Sequence, residues 1–140
     1  MPELEPAMKV AREWVLKAEN DLKTAAHTLK MGQGCPTDTV CFHAQQCAEK
    51  YIKAVLVLEG VDFPKTHDIE KLSGLLPRGV LETWSAEEQR RLTLYATMTR
   101  YPGDYEPIPL KEAQNAVRIT RRVRKEIRGL LPKKVLSNAK

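Results

Sequence analysis

The residues best suited to chemistry sit at one corner of the chain, Thr99-Arg100-Tyr101-Pro102-Gly103-Asp104-Tyr105, between two helical patterns. Proline disfavours the α conformation at the residue before it, so a helix should stop at Tyr101. Pro102-Gly103 then supplies the fixed φ and the positive φ of a tight turn. A guanidinium held on a stiff turn can bind phosphate through two parallel hydrogen bonds and stabilise charge in phosphoryl transfer. Arg100 can equally pair with Asp104 or Glu106 and only pin the corner.

A second group lies near the C-terminus. Arg118, Arg121, Arg122, Arg124, Lys125 and Arg128 stand against one acid, Glu126. Arg118, Arg121, Arg122, Lys125 and Arg128 fall on one side of a helical wheel, beside an apolar stripe, where a row of cations can follow a phosphate backbone. The plainer alternative is a solvated face whose charges suit the helix C-terminal dipole. No aromatic residue interrupts the row, so base stacking there is not expected. His43, with Gln46 and Lys50, forms a polar edge next to an apolar stripe. It could carry a proton or bridge two subunits, or simply sit at a helix crossing. His67, between Thr66 and Asp68, reads as part of a cap, and His27 is given no role. Cys35, Cys41, His43 and Cys47 lack a Cys-x-x-Cys pair, and Cys47 falls within the apolar stripe. The expectation is buried free thiols with no metal and no cofactor.

The elements that must position these groups are all helical. Apolar residues Val10, Trp14, Ala18, Leu22, Ala25 and Leu29 recur at helical spacing over about 7–31, closed by Gly32-Gln33-Gly34. Thr37 or Asp38 can cap a second helix over about 39–59. That helix is apolar on two sides: Val40, Ala44, Cys47, Ala48, Tyr51, Val55 and Leu58 on one, Phe42 and Leu56 on the other. Such a helix is central in its domain or shared with a second copy. Thr66-His67-Asp68 opens a short helix with Ile69, Leu72, Leu75 and Leu76 inward, and Pro77-Arg78-Gly79 closes it. Ser85 with Glu88 forms a capping box for the helix carrying Leu92, Tyr95 and Thr99. Pro109 suits a helical first turn. The last helix, about 110–131, buries Ala113, Ala116, Val117, Thr120, Val123, Ile127 and Leu131. Pro132 stops it, leaving a basic, loose tail over 132–140. No strand pattern or repeat interrupts the series. The expected fold is an all-α, up-and-down bundle of four main helices and one short one, with residues 1–8 as an extension and 9–131 as the domain.

A chain of 140 residues forms one domain, and a net charge of +5 matters through its placement more than its size. There is no apolar run long enough to span a bilayer, and the acidic, proline-broken start does not read as a signal peptide. Three close-set cysteines suit a reducing cytoplasm better than a disulfide frame.

Three blocks carry a family resemblance. Cys41-Phe42-His43-Ala44-Gln45-Gln46-Cys47-Ala48-Glu49-Lys50-Tyr51-Ile52-Lys53-Ala54, then Lys65-Thr66-His67-Asp68-Ile69, then Tyr95 with Thr99-Arg100-Tyr101-Pro102-Gly103-Asp104, resemble in order the HEPN (higher eukaryotes and prokaryotes nucleotide-binding) domain family. The resemblance spans about 9–131. It implies a helical bundle that is usually a homodimer and binds nucleotide or RNA. It also implies a minimal nucleotidyltransferase as partner in a two-component, toxin–antitoxin-like system. Many members are metal-independent ribonucleases, with an arginine and, after a short spacer, a histidine facing their copies across the dimer. Histidine moves the ribose hydroxyl proton and arginine steadies the phosphate.

Arg100 matches the motif arginine, but Tyr105, Glu106 and Pro107 occupy the histidine positions. A phenol of pKa about 10 is a poor base at neutral pH. The resemblance therefore allows a non-catalytic nucleotide- or RNA-binding dimer. It also allows a ribonuclease centred on Arg100, with His43 or Tyr105 as the base. A plain helical interaction module is the third possibility. The family also implies adenylylation of a tyrosine near the motif by the partner enzyme, and Tyr105 is in a suitable place for it.

Overall fold

A computed structural model describes residues 5–98 and 106–136, with backbone alone at Met98. Six helices follow in order: α1 (Pro6–Leu29), α2 (Thr37–Leu58), α3 (Ile69–Ser73), α4 (Ala86–Met98), α5 (Leu110–Leu130) and α6 (Lys133–Leu136). No strand occurs among the described residues. The side-chain links give the directions. Asp21 meets His43 and Lys50 while Glu19 meets Tyr51, so α1 and α2 are antiparallel. Thr120 meets Ala44 and Arg128 meets Tyr51, so α5 runs parallel to α2. Glu112 meets Tyr95 and Arg122 meets Glu88, so α4 opposes α5. The fold is the expected up-and-down bundle.

Helix α2 is the axis. Residues on every side of it are buried, among them Val40, Cys41, Ala44, Tyr51, Ile52 and Leu56, because α1, α3, α4 and α5 all pack against it. Its two-sided apolarity is thus satisfied within one chain and no longer requires a second copy.

Local details depart from the sequence reading where tertiary contacts compete. In the first turns of α1 the buried stripe is Ala11 and Val15, with Ala18, Leu22 and Ala25 following, whereas Val10 is 44% exposed and Trp14 is partly buried. Small side chains let two helix backbones approach, and the Trp14 ring lies at the edge of the seam, with Lys53 over it. Neither Thr37 nor Asp38 caps α2. Pro36 occupies the cap position, and the Thr37 hydroxyl instead donates to the Ile108 carbonyl at 2.7 Å, tying α2 to the entrance of α5. Asp68 caps α3 by accepting from Lys71 N at 3.1 Å, but α3 ends at Ser73 and Leu75 is left exposed beyond it. Ser85 accepts from Glu88 N at 3.1 Å, the capping interaction expected at α4.

Residues 133–136 are not a loose tail. Pro132 ends α5, but the chain turns into α6, buries Val135 fully, and fixes Lys134 by its carbonyl to the Arg12 guanidinium of α1. The apolar pair Val135 and Leu136 within a basic segment is the signal for this docking.

Candidate functional site

Three carboxylates on the inner faces of α1 and α2 organise the polar chemistry. Glu19 is held by Arg124 of α5 through two hydrogen bonds, at 2.7 and 2.9 Å, and accepts from the Tyr51 hydroxyl. Arg128 donates to that same hydroxyl at 3.2 Å. Burial alone would push the Glu19 carboxyl up, but the bonds from Arg124 and Tyr51 outweigh it and the group lies below its ordinary value. Burial raises the Tyr51 phenol, and the Glu19 carboxylate raises it further.

Asp21, two residues on, faces α2. Its oxygens take His43 Nδ1 at 2.7 Å and Lys50 Nζ at 2.5 Å. The Asp21 side chain is 10% exposed and that of His43 28%. With Nδ1–H donating to the carboxylate, the neutral ring keeps Nε2 as its acceptor.

On the far side of α2, Glu49 accepts from Lys53 at 2.8 Å, Gln45 at 3.0 Å and His67 Nδ1 at 2.8 Å. The Lys53 ammonium lies 5.2 Å from the Trp14 ring centroid and 5.8 Å from that of Phe63. His67 therefore holds the α2–α3 loop to Glu49 rather than serving as the cap, which Asp68 supplies. Burial would raise Glu49, but Lys53, Gln45 and His67 together hold it low.

Near the start of α5, Arg91 grips Glu112 at 3.0 and 3.1 Å, and the Tyr95 hydroxyl donates to it at 2.5 Å. Glu112 is likewise lowered, with Arg91 and Tyr95 outweighing burial. Burial, with Glu112 nearby, pushes the Cys41 thiol up to about 12.

The depressed carboxyls of Glu19, Glu49 and Glu112 fix the acid limb of stability. Each binds fewer protons folded than unfolded, so its contribution is complete above the ordinary value of 4.5 and is lost as pH falls through the folded values. The urea midpoint should stay level from pH 7 to about 5 and fall steadily below about 4.5. A midpoint insensitive to pH below 4.5 contradicts this account.

The basic row of α5 is divided by the fold. Arg118 and Lys125 are exposed, and Arg118 donates to Asn115. Arg122 leans toward α4, 3.8 Å from Glu88. Arg124 and Arg128 turn inward to Glu19 and Tyr51. Arg121 lines a shallow groove of about 580 Å³ with Lys23, Thr24, Ala26, His27 and Thr28 of α1 and Lys30 at its C-cap. Sequence reading passed over this α1 face, although Lys23, His27 and Lys30 follow one another by four and three residues and so share a helix side.

Arg100 and Tyr105 lie outside the described residues. Cys35, Cys41 and Cys47 are free and buried, and among the described residues no group of three or more His, Cys, Asp or Glu is placed to hold a metal ion. No helix of the described residues is long and apolar enough to cross a membrane.

The chain is similar to a Methanocaldococcus jannaschii protein named "Putative toxin MJ1304", with 29% identity over 88% of this chain and 93% of that one. Among solved structures it is similar to TT1696 of Thermus thermophilus, with a TM-score of 0.71 and 28% identity over 86% of this chain and 98% of that one. It is also similar to ST0689, an archaeal HEPN homologue, with a TM-score of 0.66 and 25% identity over 86% of this chain and 96% of that one. The HEPN domain model matches residues 11–130, which takes in all four long helices apart from the first turn of α1. The chain belongs to the HEPN domain family.

Proposed function

We propose that this protein is the HEPN half of a two-component, toxin–antitoxin-like pair. In this reading it acts as a homodimer on RNA or nucleotide, with a minimal nucleotidyltransferase as its partner. The observation that carries the reading is the near end-to-end similarity to the protein named "Putative toxin MJ1304". The exposed cations Arg118, Arg121 and Lys125 support the polyanion ligand. Arg100 is the phosphate-binding residue of the corner. Tyr105 is the residue the partner would adenylylate.

One contact favours ribonuclease activity as a second reading. A carboxylate fixes the His43 ring through Nδ1, and the side chain is partly exposed, an arrangement suited to a general base. His43 would then take the ribose hydroxyl proton while Arg100 steadies the phosphate.

Induction of the chain alone in a bacterial host should arrest growth, and co-expression of the nucleotidyltransferase should relieve the arrest. Relief should coincide with adenylyl adducts that disappear in Tyr105→Phe. Incubation with mixed RNA in EDTA tests the second reading. Arg100→Ala should lower cleavage about 100-fold if its guanidinium stabilises the reacting phosphate, and His43→Asn should also lower it. Equal cleavage by wild type and both variants removes the ribonuclease. No arrest together with no RNA or nucleotide binding removes the proposal as a whole.

A further inference from the structure

We infer that the groove between α1 and α5 is a cradle for an RNA phosphate backbone, with Lys30 at the end of α1 and Arg121 of α5 as its opposing contacts. The inference rests on the RNA-binding reading and gives it a surface that the α5 row alone did not define.

The groove has basic residues on both walls. Lys23 and His27 come from α1, Lys30 from its C-cap and Arg121 from α5, and among the described residues no acid lines it. Glu19, the buried carboxylate between α1 and α5, is committed to Arg124 and Tyr51. Arg121, in contrast to Arg124, is exposed and lines the groove. The walls also carry Thr24, whose hydroxyl donates to the Asn20 carbonyl at 2.9 Å and keeps only its acceptor side free of that bond, and Thr28. Threonine hydroxyls, with lysine and arginine, are common phosphate-contacting groups. Along the α1 wall the cations extend over about two turns. Lys23 to Lys30 is seven residues, about 10 Å of helix at 1.5 Å per residue. Arg118 and Lys125 continue the positive surface along the α5 crest above and below Arg121.

The chemistry of the lining favours nucleic acid over an acidic protein partner. Protein interfaces are anchored by a desolvated apolar or aromatic centre. Here the lining holds no aromatic and no large aliphatic residue, only Ala26 and the carbon atoms of polar and basic residues. A phosphate backbone needs no such anchor, because its affinity comes from counterion release. With no aromatic in the lining, bases are not stacked, so binding should be indifferent to sequence.

The test is fluorescence anisotropy of a labelled mixed-sequence single-stranded RNA with the full chain, over a salt series from about 50 to 200 mM. Lys30→Gln/Arg121→Gln is compared with Lys71→Gln/Arg78→Gln, which removes the same charge from exposed positions in and after α3. All four side chains are exposed, so both doubles should fold, as circular dichroism would verify. The groove double should bind at least about tenfold more weakly, with the salt slope reduced by about 1.4, two phosphate contacts at about 0.7 each. The α3 double should stay within about twofold of wild type. If wild type binds and the two doubles weaken equally, or neither weakens, the groove is not the site and the RNA-binding reading stands without it. If wild type fails to bind at about 50 mM salt, both fall. Polyglutamate displacing RNA at equal charge concentration would also overturn the inference, in favour of an acidic protein ligand.

Discussion

Lys53→Met should destabilise the protein by about 3 kcal/mol at pH 7.5, read as a lowered urea midpoint. The magnitude follows from what remains. The Glu49 side chain is 3% exposed and that of Lys53 9%, so removing the ammonium strands a buried carboxylate, at a cost of about 3–5 kcal/mol when nothing else compensates. Gln45 and His67 still donate to Glu49, which places the effect at the lower end. Two further measurements separate this cause from lost packing. Glu49→Leu/Lys53→Met should recover most of the loss, since replacing a whole buried pair by apolar groups of similar volume is often neutral or stabilising. The Lys53→Met deficit should also shrink at pH 4.5. The sign is fixed: without its cation, Glu49 is no longer held below its ordinary value, takes up a proton more readily in the fold, and loses its charge penalty. A deficit unchanged by pH and by the double substitution would assign the effect to the stacking of Lys53 between Trp14 and Phe63.

This pair also marks the limit of what the sequence discloses. Helix periods located all four long helices because a buried stripe must repeat at helical spacing, and α2 announced itself as central by being apolar on two sides. Glu49 and Lys53 interrupt that apolarity, and on the wheel they read as an exposed i, i+4 pair. The Trp14 and Phe63 rings, from α1 and the α2–α3 loop, and His67 lie against the pair and make the position interior. Glu19 and Asp21 are hidden in the same way. In α1 they look like solvent-facing acids, and their burial follows from cations and hydroxyls on α2 and α5, distant in sequence. The Arg100 corner, expected from turn chemistry and from its resemblance to a family motif, lies outside the described residues. The basic row was legible as charge, but not its division, because a wheel shows direction from the axis and not the partner waiting there.

That division underlies the second large effect. Tyr51→Ala should cost about 4 kcal/mol, since the ring is fully buried at the centre of α2 and its removal leaves a cavity. Tyr51→Phe keeps the ring and removes only the hydroxyl that donates to Glu19 and accepts from Arg128. Glu19 retains both bonds from Arg124, so this substitution should cost about 1 kcal/mol, the net worth of an ordinary hydrogen bond. Neither Tyr51 nor Glu19 lines the groove, and RNA affinity of Tyr51→Phe should remain within about twofold of wild type. Arg128→Gln should behave like Tyr51→Phe, with reduced stability and unchanged RNA affinity. Arg121→Gln should do the reverse. If Arg128→Gln instead weakens RNA binding as much as Arg121→Gln while leaving the urea midpoint unmoved, the row acts as one face after all. The hydrogen bond to Tyr51 would then be incidental. If the two variants part as described, one run of cations in the sequence serves two ends: the inner members close the seam between α1, α2 and α5, and the outer members are left for the ligand.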